Sequence, residues 1–265
     1  MIFDWGMKPV IGVVHLQPLP GSPGYKGDLN DIIDKALRDA RSLEEGGVNG
    51  IIVENYMDIP FKIRITEPET IAAMTVIVRE IVKNTSIPVG VSFLRNSGVE
   101  ALAIAYATGA KFIRVNVYCF PVISAEGTIE PIAREVQELK HKLKTNIEVY
   151  ADVAVKHAYL HYNASIDELA IETVNRCKAD AIIITGKATG QPPEPSDVAL
   201  AKKCNKPVII GSGITVNNIK LYWNLADGFI IGTYFKQKGI TINPIDPERV
   251  KKLTTIINKL RKQKQ

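Results

Sequence analysis

The sequence predicts one (β/α)8 barrel of the TIM type, and three observations carry that expectation. Eight β-branched runs alternate strictly with eight helical patterns, the arrangement of a parallel sheet covered by helices. The length, 265 residues, fits eight such units closed into a single-domain barrel better than an open doubly wound sheet. The long segments follow the strands, whereas links after helices, such as Gly109-Ala110-Lys111, are short. Barrel enzymes build their sites on that longer, βα side.

The elements follow in order. A strand from Pro9 to Leu16 leads through a turn rich in Pro and Gly (Gln17 to Gly24) into a helix from about Asp28 to Glu45, stopped by Gly46-Gly47. Next come strand Gly50 to Asn55 with helix Glu67 to Lys83, strand Pro88 to Leu94 with helix Val99 to Thr108, and strand Phe112 to Tyr118 with helix Pro131 to Leu143. The second half reads strand Ile147 to Val153, helix Ile166 to Arg176; strand Ala181 to Thr185, helix Ser196 to Lys203; strand Val208 to Ser212, helix Val216 to Leu225; strand Gly228 to Tyr234, helix Pro247 to Lys262. Nothing divides the chain into two domains, so residues 1–265 form one barrel ending in a basic helix.

Composition narrows the class. A hydrophobic fraction of 46% with 23% charged residues is that of a globular protein and not of a disordered one. No apolar run reaches bilayer length, and the N-terminus lacks the pattern of a signal peptide, so a cytoplasmic protein is expected. Cys119, Cys177 and Cys204 are odd in number and widely spaced, which suggests neither a disulfide framework nor a thiolate zinc site; reduced thiols are expected. Much of the formal net charge of +5 lies in the last helix (Lys251, Lys252, Lys259, Arg261, Lys262, Lys264). No stacking aromatics interleave with it, which argues against nucleic acid as a partner.

Two strand ends stand out. Pro207 to Gly213 and Asp227 to Tyr234 are β-branched runs ending in glycine beside a hydroxyl, as the seventh and eighth strands of a barrel do where backbone N–H groups hold a phosphate. Gly211, Ser212, Gly213, Gly232 and Thr233 are the phosphate candidates. In the fourth strand Ile113, Val115 and Val117 face helices, leaving Arg114 and Asn116 inward; in the fifth, Glu148, Tyr150 and Asp152 point inward. Arg114 could pair with Glu148 as a structural plug or with Asp152 near the rim, because a buried guanidinium needs a partner. Polar residues at the remaining strand ends complete the set: His15, Glu54, Asn55, Arg95, Asn96, Lys156, His157, Thr185 and Lys187.

These residues support an enzyme acting on a phosphorylated small molecule, a phosphosugar or nucleotide-like compound. Asp152 or Glu54 is the candidate base, His15 or His157 the acid, and Lys156 or Lys187 a possible Schiff-base nucleophile. Asn55, Arg95, Asn96, Arg114, Asn116, Thr185 and Lys187 are candidate substrate contacts, Arg114 and Asn116 for an oxyanion or a second anionic group. The sequence identifies no certain cofactor. A divalent metal on His15, Glu54 and Asp152 suits the ligand chemistry but lacks supporting spacing, and FMN at the phosphate corner is disfavoured. The alternative is a non-catalytic binding or assembly factor using rim aromatics such as Tyr118, Phe120, Tyr159 and Tyr162. A homo-oligomer through helix faces or βα loops is compatible with the sequence.

The motifs Gly12 to Pro23, Glu54 to Phe61, Leu94-Arg95-Asn96, Phe112 to Val117, Asp152 to Ala158, Thr185 to Gly190, Gly211-Ser212-Gly213 and Asp227-Gly228 together resemble the BtpA/SgcQ family, and they span nearly the whole chain. The resemblance implies a TIM barrel, a sugar-phosphate setting through the SgcQ branch, and a role in photosystem I accumulation through the cyanobacterial one; it supplies no substrate. After the fourth strand this chain departs from the family's small polar loop with Tyr118-Cys119-Phe120-Pro121, which implies a different substrate preference there.

Overall fold

A computed structural model describes residues 1–160 and 164–263. Eight parallel strands close into a barrel: β1 (Val10–His15), β2 (Gly50–Glu54), β3 (Val89–Ser92), β4 (Phe112–Val115), β7 (Glu148–Val153), β9 (Ala181–Ile184), β10 (Val208–Ile210) and β11 (Gly228–Ile231), with β11 pairing back to β1. Around it lie α1 (Leu29–Glu45), α2 (Pro68–Asn84), α3 (Gly98–Thr108), α4 (Ala133–Lys142), α5 (Ile166–Asn175), α6 (Pro195–Ala201), α7 (Ile219–Tyr222) and α8 (Pro247–Lys262). The expected order of barrel strands and surrounding helices is the observed one. Asp28 caps α1 by accepting the Asp31 N–H, and Asp246 caps α8 by accepting the N–H groups of Glu248 and Arg249.

The strand alternation sorts as the period of two requires. Ile113, Val115, Val149, Ala151 and Val153 join the core between strands and helices, while Ile11, Val13, Ile52, Phe112, Tyr150, Ile183, Ile209 and Ile230 fill the interior. The N-terminal segment closes the floor: Phe3 and Trp5 pack edge-on against Phe112 and Tyr150, which stack with centroids 4.8 Å apart. Glu148 belongs to that floor. Its carboxylate accepts the Ile2 N–H (2.8 Å) and the Tyr150 hydroxyl (2.7 Å), so the Arg114–Glu148 plug does not form.

Four features differ from expectation. First, β4 stops at Val115 because the Asn96 side chain takes over the backbone of Val117, accepting its N–H at 3.0 Å and donating to its carbonyl at 3.0 Å. Val117 then packs with Val122, Ile129 and Val155 instead of against a helix. Second, the segments after β4 and β7 form a small antiparallel sheet of β5 (Val122–Ser124), β6 (Gly127–Ile129) and β8 (Ala158–Leu160) at the C-terminal end of the barrel. Third, α7 is a single turn, since Asn218 spends its side chain on Thr215 N–H and the Gly213 carbonyl.

The fourth is a correction: Cys119 and Cys177 are joined in a disulfide, and only Cys204 is a buried free thiol. Widely separated cysteines in sequence gave no sign that the loop after β4 returns to the end of α5. Tyr118, expected at the rim, is also fully buried, its hydroxyl accepting from Gln137 at 2.8 Å. Phe120 packs partly buried against the core, Tyr159 is exposed, and Tyr162 and Lys264 lie outside the described residues.

Candidate active site

The C-terminal ends of the strands open into two cavities of about 180 Å³ each. One is walled by the backbones of Gly211, Ser212, Gly213, Gly232 and Thr233, together with His15, Tyr234 and Arg249. The other is walled by Arg95, Asn116, His157, Phe61 and Leu94. Glu54, Tyr56, Arg114, Lys156 and Thr189 line both, so the two are halves of one cleft.

Glycine is needed where the first half is tightest. Gly213 has φ +74°, and a Cβ there would lie 2.0 Å from the Pro192 nitrogen. At Gly232 a Cβ would stand 2.8 Å from the His15 ring, so the missing side chain is what lets the imidazole lie against β11. The Ser212 hydroxyl is committed to the loop after β9, donating to the Gln191 carbonyl at 2.6 Å and accepting the Gly186 N–H at 3.2 Å. What Ser212 and Gly213 present to a ligand is therefore backbone.

Arg249 was not singled out from sequence. It sits in the first turn of α8, its Nε donates to the Tyr234 carbonyl (2.6 Å), and its guanidinium lies 4.5 Å from the centre of the Tyr234 ring. Reading the last helix for its basic C-terminal end hid the one cation at its other end that faces the barrel mouth. Tyr56 was likewise passed over, although it adjoins Glu54 and Asn55; its ring lies 4.7 Å from that of His15.

His15 and Glu54 end neighbouring strands, with His15 Nε2 3.8 Å from Glu54 Oε1 and the Ser92 hydroxyl donating to Glu54 Oε2 at 2.8 Å. Burial, reinforced by the charges of Lys236, Lys156 and Arg114, holds the His15 imidazole well below its ordinary pKa, which makes it neutral near pH 7. Lys236 was another unanticipated residue: fully buried, it donates to Asp39 at 2.7 Å, and burial lowers its pKa against the pull of that carboxylate. Lys156 is partly buried, and burial with Arg114 brings its ammonium down to about 8.

Arg114 donates to Asp152 from Nε (3.2 Å) and Nη2 (3.1 Å), and Asn116 donates to the same carboxylate. Burial works against the Arg114 charge, but Asp152 and Glu54 outweigh it and raise its pKa. The Asp152 side chain is 0% exposed and lies behind Arg114, away from the cavity walls. Arg95 donates to the Lys156 carbonyl (2.7 Å) and Asn116 (3.3 Å) and approaches Glu126 of the β5–β6 turn at 3.7 Å; burial, first of all, lowers its pKa.

The remaining candidates have other neighbours. Asn55 ties the loop after β2 to the loop after β3, accepting the Leu94 N–H at 2.7 Å and donating to Asp58, while Asn96 binds Val117 and the Glu130 carbonyl. Both are loop clamps away from the cavity walls. His157 is exposed and accepts the Thr189 N–H at Nε2 (3.3 Å), a link between the loops after β7 and β9; burial, then Lys156, lowers its pKa. Thr185 and Lys187 line a wider groove beside the cleft. Among the described residues no group of three or more His, Cys, Asp and Glu gathers to hold a metal, and His15, Glu54 and Asp152 in particular have Arg114 and Lys156 between or beside them.

Fold and cleft define a TIM-barrel protein with its polar residues at the C-terminal face. The chain belongs to the BtpA family, whose model matches residues 6–259. It is 46% identical over 259 residues to an uncharacterized protein of Pyrococcus abyssi, covering 97% of this chain and 99% of that one. It is 42% identical over 245 residues to the photosystem I biogenesis protein BtpA of Synechocystis, covering 92% and 85% of the two chains. Among solved structures it resembles orotidine 5'-monophosphate decarboxylase from Methanocaldococcus jannaschii complexed with inhibitor BMP, with TM-score 0.59, 21% identity and coverage of 95% and 99%. No helix among the described residues is long and apolar enough to cross a membrane.

Proposed function

We propose that this chain is an enzyme, working in the cytoplasm, that acts on a phosphorylated small molecule of phosphosugar or nucleotide-like type. One observation carries the reading. A single cavity is lined by the glycine-rich backbone ends of β10 and β11, by Arg249, and by the ionisable groups Glu54, His15 and Lys156, with His15 lying against Gly232. The backbone at Ser212, Gly213, Gly232 and Thr233 holds the phosphate, with Arg249 supplying charge-assisted hydrogen bonds. Orotidine 5'-monophosphate decarboxylase, the solved structure named above, acts on a nucleoside monophosphate, which is in keeping with that reading.

Glu54 is assigned as the base, since its carboxylate faces both halves of the cleft, whereas the Asp152 oxygens are spent on Arg114 and Asn116. Neutral His15 hydrogen-bonds and orients the reacting oxygen. Lys156, with a pKa of about 8, is protonated at neutral pH and serves as the cation that can return a proton. Asp152 fixes Arg114 so that its charge faces the ligand without moving. His157 is assigned to the loop clasp.

The test is a thermal-shift series with sugar phosphates and nucleoside monophosphates against wild type and Arg249→Ala. A ligand at 100 times its Kd adds about 2.7 kcal/mol of stability. The expected result is a rise in Tm with a phosphorylated member that is lost with its dephosphorylated counterpart and weakened in Arg249→Ala; no shift with any member contradicts it. The name of the Synechocystis relative favours a second reading, an assembly factor, for which exposed Ile123 and Tyr159, paired side by side on β5 and β8, are the contact residues. Substituting both with Ser leaves ligand-dependent stabilisation intact and abolishes partner binding if that reading holds.

A further inference from the structure

The second half of the cleft is too cationic for the uncharged end of a sugar. Three cations, Arg95, Arg114 and Lys156, line it against one lining carboxylate, Glu54. The partners of the first two, Glu126 and Asp152, stand behind them and do not line the cavity. Arg95 is 5% exposed, and its buried Nε has no hydrogen-bond partner among the described residues. Arg114 spends Nε and Nη2 on Asp152, leaving Nη1 without a partner among the described residues. The Lys156 ammonium, between the two halves, also has no hydrogen-bonded partner among them.

Of these donors the Arg95 Nε is the one buried without a hydrogen-bond partner among the described residues, so its lost hydration is uncompensated, and the clustering of like charges adds to that cost. A ligand oxyanion removes both penalties at once. Asn116, held by its Nδ2 on Asp152 and its Oδ1 on Arg95, keeps the two guanidinium groups at a fixed separation.

We infer that the substrate carries a second oxyanion, a carboxylate or a second phosphate, at the end remote from the first phosphate, and that Arg95, Arg114 and Lys156 bind it. This rests on the phosphate reading of the first half and names the class of compound that fits both halves. Two planar guanidinium groups match a carboxylate or phosphate oxygen pair in a way a hydroxyl cannot.

The test is calorimetry on the full chain with one carbon skeleton and three ends: glucitol 6-phosphate, 6-phosphogluconate and glucitol 1,6-bisphosphate, with gluconate as the member lacking phosphate. At least one of the doubly anionic compounds is expected to bind about tenfold or more tighter than glucitol 6-phosphate, which is about 1.4 kcal/mol. Whichever gains more identifies the second group as carboxylate or phosphate. In Arg95→Gln that gain shrinks while binding of the monophosphate persists, and in Arg249→Ala all phosphorylated members weaken together. Equal affinity for the three phosphorylated compounds overturns this inference and leaves the phosphate reading standing. Failure of all of them to bind wild type, together with no thermal shift from any nucleoside monophosphate, removes both.

Discussion

Arg114 and Asp152 meet through two parallel hydrogen bonds of 3.2 and 3.1 Å on adjacent strands, with side-chain exposures of 3% and 0%. Removing one partner of such a pair strands a charge in the barrel, which costs about 3–5 kcal/mol, whereas replacing both with apolar residues costs far less. Asp152→Ala is therefore expected to lower the unfolding free energy by about that amount in urea titration, and Arg114→Met with Asp152→Leu to recover most of it. Equal losses in the two variants would show that packing, and not charge, is what the pair supplies.

Gly213→Ala is expected to disrupt the backbone wall of the first half-cleft. The residue sits at φ +74° and the added carbon would fall 2.0 Å from the Pro192 nitrogen. The left-handed conformation alone costs about 1–2 kcal/mol for a residue with a Cβ, and relief of the contact must move the loop after β9. Thermal unfolding checks the stability loss; calorimetry checks that phosphate-containing ligands weaken along with it.

Lys156 makes stability rise with pH. Its folded pKa of about 8 lies below the unfolded value of 10.5, so below pH 8 both states are protonated and the folded one bears the full burial penalty. Between 8 and 10.5 the folded state releases the proton first, and its stability increases. Lys156→Met is expected to abolish that rise in denaturation midpoints measured across the window. The same amine should be methylated by formaldehyde and borohydride at lower pH than exposed lysines, and a ligand filling the cleft should protect it.

His15 works in the opposite sense on acidification. Its folded pKa is well below 6.5, so as pH falls through 6.5 the unfolded chain takes up a proton that the folded one refuses, and stability declines. His15→Gln is expected to flatten that part of the profile. Ring-carbon NMR shifts of a neutral imidazole at pH 6.5 would confirm the cause, and those of an imidazolium would refute it.

Much of this architecture is legible in the sequence because barrel strands alternate inward and outward with a period of two: that alternation from Phe112 to Val153 sets Arg114, Asn116 and Asp152 together. What escaped were relations that no local period encodes. Asn55 and Asn96 each tie two loops, a relation the sequence does not display because a polar residue at a strand end looks alike whether it faces a ligand or holds a loop; only the three-dimensional path of Leu94 and Val117 shows it. Arg249 reaches the cleft because α8 begins beside β11, and the cap sheet exists because segments after β4 and β7, far apart in sequence, find each other as β5 and β8.

The disulfide belongs to the same category. Cys119 and Cys177 are 58 residues apart, and closing a loop of that length stabilises the folded chain by about 4 kcal/mol in the chain-entropy description. Cys177→Ser, or reduction of the native protein, is expected to lower the denaturation midpoint accordingly. Alkylation under denaturing, non-reducing conditions should label Cys204 alone, detected by intact mass.

The glycine-lined half of the cleft, with Arg249, is proposed as the phosphate site, and density from a crystal soaked with a sugar phosphate that raises the melting temperature decides it. Phosphorus density is expected between the backbones of Gly213 and Thr233 within hydrogen-bonding reach of Arg249, with the rest of the ligand lying toward Glu54 and Lys156. A phosphate bound on Arg95 and Arg114 with the glycine wall vacant, or a ligand bound away from the barrel mouth, would contradict it.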